Sequence, residues 1–91
     1  MKGQSFILKT TGEINYIEPE NGFHFTLEEL KEAIGGGYIE VVYLTPDLRM
    51  IVDEDGKRKK MPLNVGASRL YKGSHDCIVG DALVCHRSQI R

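Results

Sequence analysis

The residues best suited to chemistry gather near the C-terminal end: His75, Cys77, Cys85 and His86. Thiolate and imidazole are the ligands zinc prefers. Were Gly80-Asp81 a two-residue hairpin turn, Val79 would face Ala82, Cys77 would face Val84 and His75 would face His86. Alternation along the strands then puts His75, Cys77 and His86 on one face and Cys85 on the other. That makes three ligands at most and separates the two sulfurs. Neither cysteine belongs to a Cys-x-x-Cys pair. If Gly80-Asp81 is only a bulge, the facing argument lapses. The plainer reading treats Cys77 and Cys85 as small buried hydrophobes and the histidines as surface residues. His75, Cys77 and His86 are therefore the metal candidates, and no cofactor is expected.

Other constellations carry less. Ser74-His75-Asp76 holds the residue types of a catalytic triad, but neighbours in an extended segment point to opposite faces. No Gly-x-Ser-x-Gly elbow occurs, and a chain of this size has little room for a cysteine–histidine cleft. No catalytic residue is assigned, and the expectation is a protein that is not an enzyme. Gly35-Gly36-Gly37 is not a phosphate loop in this reading, because phosphate loops lead into a helix N-terminus and this triplet follows a helix. Lys57-Arg58-Lys59-Lys60 could meet phosphates. No aromatic residue interleaves it for base stacking, and Asp53, Glu54 and Asp55 precede it. A solvated hairpin tip is its default reading. Among the aromatic residues, most of which belong in a core, Phe23 and Phe25 flank His24 ahead of a helix and are the candidates for a partner-binding surface.

These residues must be positioned by short elements. The chain has 91 residues, 41% hydrophobic and 27% charged, with 12 basic and 13 acidic side chains and a net charge of -1. That length fits one domain, and that balance does not make the whole surface a glove for nucleic acid. No apolar run approaches the roughly 18 residues of a membrane span, and the N-terminus lacks a signal peptide's apolar stretch. Two cysteines and no export signal point to reduced thiols in a cytoplasm.

Ser5 to Glu18 reads as a hairpin broken at Thr10-Thr11-Gly12. Thr26 and Glu29 form a capping box, and Phe25 with Leu30 a hydrophobic staple. Leu27, Leu30, Ala33 and Ile34 share one helical face, so a helix is expected over 27–34, ended by the glycine triplet. Tyr38 to Leu44 is the strongest strand. It is apolar on both faces save Glu40, which predicts a central position. Leu48 to Asp53 returns beside it. Asp55-Gly56 then marks a tight turn, with Lys57 to Met61 an edge strand or a loop. Asn64 caps a short helix over 65–71, weakened by about 1 kcal/mol by Gly66 and ended at Gly73. Cys77 to Val79 and Ala82 to His86 are two strand pieces about Gly80-Asp81. The sum is α+β: a mostly antiparallel sheet of about five or six short strands with two short helices.

Several of these segments recur together. The Tyr38-Ile39-Glu40 strand, Val52-Asp53-Glu54-Asp55-Gly56-Lys57, Met61-Pro62-Leu63-Asn64 with Ala67, Leu70 and Tyr71, and Ile78-Val79-Gly80-Asp81-Ala82-Leu83-Val84 resemble, in order and spacing, the domain-of-unknown-function family numbered 3846. The resemblance covers about residues 25–86 and leaves the hairpin of about 5–18 outside it. It implies a small protein of bacteria, phages or other mobile elements, and no catalytic residues. Asn64, Asp81 and Tyr71 sit at its recurring positions, and Asn64 reads first as a cap and Asp81 as turn chemistry. The expectation is a cytoplasmic binding module whose partner is another protein or a second copy of itself. A nucleic-acid accessory role through Lys57 to Lys60 and a small-ligand or metal site near His75, Cys77 and His86 are the alternatives. No membrane partner is expected.

Overall fold

In a computed structural model the described residues are 5–71 and 77–90. They form strands β1 (Ser5–Leu8) and β2 (Ile14–Ile17), helix α1 (Leu27–Ala33), strands β3 (Ile39–Tyr43) and β4 (Leu48–Asp53), helix α2 (Val65–Leu70) and strand β5 (Ala82–His86). A single 3-10 turn, Arg87–Gln89, follows. The strands make one antiparallel sheet in the order β2-β1-β5-β4-β3. Two local hairpins, β1–β2 and β3–β4, are joined by β5 laid between them. No helix among the described residues is long and apolar enough to cross a membrane.

Alternation along the strands builds two cores. Leu8, Met50, Val52, Ala82 and Val84 face Ala67 of α2, with Ile78 beside them. Ile51, Leu83 and Cys85 face Phe25, Leu30, Ala33 and Ile34 of the α1 segment. Strand β5, buried from Ala82 through Cys85, is therefore the central strand. Strand β3, apolar enough to be central, lies at the edge instead. Its apolar faces do not fix its place, because the centre goes to the strand that pairs on both sides.

Helix α1 starts as its cap predicts. Thr26 Oγ1 accepts from the Glu29 amide at 3.2 Å, and Glu29 Oε1 accepts from the Thr26 amide at 2.8 Å. The Thr26 amide first, and then the Glu20 amide, which donates to Glu29 Oε2 at 2.9 Å, hold the Glu29 carboxyl below its ordinary value. At the other end the Gly36 amide donates to Lys31 and the Gly35 amide to Glu32. That is a Schellman ending, with both glycines in the left-handed region. Leu27, expected on the apolar face, is half exposed, because it stands in the first turn above the rim of the core.

Asn64 holds the second half together. It is 1% exposed. Its Oδ1 accepts from the Ala67 amide at 3.1 Å, capping α2, while Nδ2 donates to the Leu8 and Gly80 carbonyls at 2.8 and 2.9 Å. One side chain thus ties α2, β1 and the approach to β5. Asp81 serves tertiary structure more than a turn: it accepts from the Thr10 amide and from Lys9 Nζ, at 3.0 and 3.1 Å. The N-terminal hairpin is clamped into the sheet by that carboxylate and by the β1–β5 ladder.

Residues 54–60 form consecutive turns with no returning strand. The Asp53 carboxylate, 2% exposed, accepts from the Asp55 amide and from Lys59 Nζ, each at 2.8 Å. Burial pushes its pKa up, yet Lys59 and the Asp55 amide outweigh that and hold it below the ordinary value. Gly37 passes so close that a Cβ there would sit 2.9 Å from both Asp53 Oδ2 and Lys59 Nζ. Asp55-Gly56 closes no tight hairpin, since the chain is recruited into this cage. Gly73 lies outside the described residues.

Candidate binding edge at strand β3

The metal constellation does not assemble as the hairpin reading required. Val79 bridges to Leu63, and β5 pairs with β1 and β4, so Cys77 never faces Val84. Cys77 borders a cleft beside Asp53, at one end of β4, whereas His86 pairs with Leu48 at the other. Five residues of strand, about 16 Å, separate those ends, too far for ligands of one ion. His86 Nδ1 accepts from the Ser88 amide at 3.1 Å and caps the 3-10 turn. Cys85 is fully buried, and burial pushes its thiol up to about 11. Cys77, expected to be buried, is exposed. His75 and the Ser74-His75-Asp76 run lie outside the described residues. Among the described residues no group of three or more His, Cys, Asp or Glu is placed to hold a metal ion.

The basic run is partly spent on its own turn. Lys59 neutralises Asp53, and Arg58 pairs with Asp55 at 2.9 Å. Lys57 lines the cleft with Glu40, Glu54, Tyr71 and Cys77. That cleft, about 160 Å³, is smaller than the roughly 300 Å³ at which small-molecule pockets begin. Lys60 adopts a positive φ of 58° within the turns. Of the two aromatic candidates, Phe23 is exposed. Phe25 is 3% exposed and packs under α1, because its staple with Leu30 draws it inward.

The surface that stands out is the β3 edge. Hydrogen bonds bracketing the β3–β4 ladder fix its phase. The Glu54 amide donates to the Tyr38 carbonyl at 2.9 Å and the Leu44 amide to the Leu48 carbonyl at 3.1 Å. In the observed register, even-numbered residues of β3 bond to β4. The N–H and C=O groups of Ile39, Val41 and Tyr43 consequently point away from the sheet. The side chains of the same three residues lie on the α1 side. Ile39 packs into that core, while Val41 and Tyr43 are 38% and 69% exposed, and Tyr38 before them 68%.

Cations frame this strip. The Arg49 guanidinium stacks 3.8 Å from the Tyr43 ring centroid and is braced by the Thr45 and Leu48 carbonyls. Arg87, paired with Asp47 at 3.2 Å, joins Val41, Tyr43, Arg49 and Ile90 around a shallow groove of about 410 Å³. At the other end Lys31 Nζ stands 5.7 Å from the Tyr38 ring. No ion pair engages Arg49 or Lys31 among the described residues.

The opposite edge differs. Strand β2 has four residues and is flanked by Glu13, Glu18 and Pro19, the charge and proline that discourage strand addition. Tyr38, Val41, Tyr43, Arg49, Arg87 and Lys31 escaped the sequence reading because β3 reads as central, and only strand order exposes it. The aromatic residues, expected mostly in the core, are instead largely outside: Tyr16, Phe23, Tyr38 and Tyr43 are all exposed.

Comparison with curated proteins and with solved structures gives no match. A family model does match. It spans residues 3–89, which takes in the N-terminal hairpin that the residue resemblance over 25–86 left out. The chain belongs to the family described as Domain of unknown function (DUF3846).

Proposed function

We propose that this protein is a non-enzymatic interaction module that binds a protein partner by accepting an added strand at β3. The observation that carries this reading is an edge that no described strand pairs with, whose outward backbone groups and exposed Val41 and Tyr43 side chains belong to the same residues. Strand addition uses that combination: main-chain hydrogen bonds supply affinity and alternate side chains supply specificity. Three outward residues offer six hydrogen bonds, each worth about 0.5–1.5 kcal/mol net. Association costs about 4–15 kcal/mol, so the side chains must contribute. Exposed tyrosine is well suited to that, being enriched among residues that dominate binding energy. The resemblance to small phage and bacterial proteins supports an accessory role for a phage or mobile element in the bacterial cytoplasm.

The phase of the ladder supplies the test. Val41→Pro removes an outward N–H and leaves the β3–β4 bonds intact, whereas Val42→Pro deletes a ladder bond. Val41→Pro is expected to keep the wild-type circular dichroism spectrum and lose the partner captured by wild-type protein from host lysate. Val42→Pro is expected to unfold. Retention of the same partner by a folded Val41→Pro variant, or turnover of a substrate in a broad activity screen, would overturn the proposal.

A further inference from the structure

Resting on that reading, we infer that the β3 edge is built for an acidic, extended peptide segment: apolar at its centre, with carboxylates at both ends on the α1 side. The strip is apolar in the middle, at Val41, and cationic at its two ends, with Arg49 and Arg87 beside Tyr43 and Lys31 beside Tyr38. A strand added along Ile39, Val41 and Tyr43 places alternate side chains over those positions. A carboxylate at either end of it meets a cation. On the other side of the sheet β3 presents Glu40, exposed, and Val42, so the intervening peptide residues gain nothing from acidity.

The same charges argue against the other occupants. A second copy pairing antiparallel about Val41 would set Ile39 opposite Tyr43, bringing the Lys31 end of one protomer to the Arg49 end of the other. Like charges would then meet twice. A nucleic-acid strand would leave the outward N–H and C=O groups of Ile39, Val41 and Tyr43 without the backbone partners that a peptide brings, and among the described residues it would find three cations along the strip, one already paired with Asp47.

The test uses the full chain and three blocked synthetic pentapeptides: Glu-Thr-Val-Thr-Glu, its Gln-ended analogue and its Lys-ended analogue. Binding is followed by amide nitrogen–proton shifts and by calorimetry. The acidic peptide should shift the amides of residues 39–43 and bind about tenfold tighter than the Gln-ended one, since each of two exposed rim ion pairs contributes about threefold. Lys31→Gln and Arg49→Gln should each lower its affinity about threefold, and raising salt should do the same. If all three peptides shift β3 equally, the acidic specificity fails while strand addition stands. If the β3 amides move with protein concentration alone, or respond more to a single-stranded oligonucleotide than to any peptide, the occupant assigned here is wrong. If only residues away from β3 respond, both this inference and the binding edge fall.

Discussion

Replacing Asn64 by alanine tests a buried side chain that makes three hydrogen bonds to three separate segments. The substitution removes one acceptor and two donations in a site 1% exposed: the Ala67 amide loses its cap, and the Leu8 and Gly80 carbonyls lose a shared donor. A buried group stripped of its partner costs about 1–3 kcal/mol. The carbonyls keep a second lone pair for other donors, which places them at the low end. The sum is about 3–5 kcal/mol, against a total stability of about 5–15 kcal/mol for a small domain. Urea denaturation followed by circular dichroism should show the midpoint falling with the slope unchanged, and thermal unfolding a drop of at least about 12 °C. Asn64→Asp sharpens the test. It keeps the acceptor for Ala67 but aims a second carboxylate oxygen at two carbonyls. Its folded-state pKa is therefore pushed above the ordinary value, near 4. The penalty relative to wild type is full above the raised pKa. It shrinks as pH falls towards 4, where the protonated acid can donate to one carbonyl. A loss under about 1 kcal/mol for Asn64→Ala, or a pH-independent gap for Asn64→Asp, would refute the bridging role.

Three further outcomes follow from the geometry. Gly37→Ala should destabilise more than Gly36→Ala in urea titrations: both have positive φ, but only at Gly37 would the new Cβ strike the Asp53–Lys59 pair, so the excess over the shared backbone cost of about 1–2 kcal/mol is the reading. Because the folded pKa of Asp53 is lowered, its contribution is present above its ordinary value of 3.8 and lost as pH falls through and below it; wild type should lose stability in that window, and Asp53→Asn, less stable at neutral pH, should lose less of what remains. Ellman's reagent should label Cys77 rapidly in the folded protein and Cys85 only on unfolding, since burial holds the latter's thiol near 11.

The features legible in the residues alone are local ones. The Thr26–Glu29 box, the glycine stop after Ile34 and the Asn64 cap are decided within a few residues of each other, by side chains that reach nearby amides. Strand identity in β1, β3, β4 and β5 follows from apolar and β-branched runs for the same reason. Strand order was decided only in three dimensions. Tyr38 to Leu44 reads as the central strand and Ala82 to His86 only as one of two strand pieces about Gly80-Asp81, yet β5 takes the centre because Asp81 and Asn64 bind the β1 region to it across the chain. Those contacts span 71, 56 and 16 positions, beyond any local pattern. The exposed β3 edge is a consequence of that choice. So is the separation of Cys77 from His86, since a bridge to Leu63 replaces the hairpin that proximity in sequence suggested.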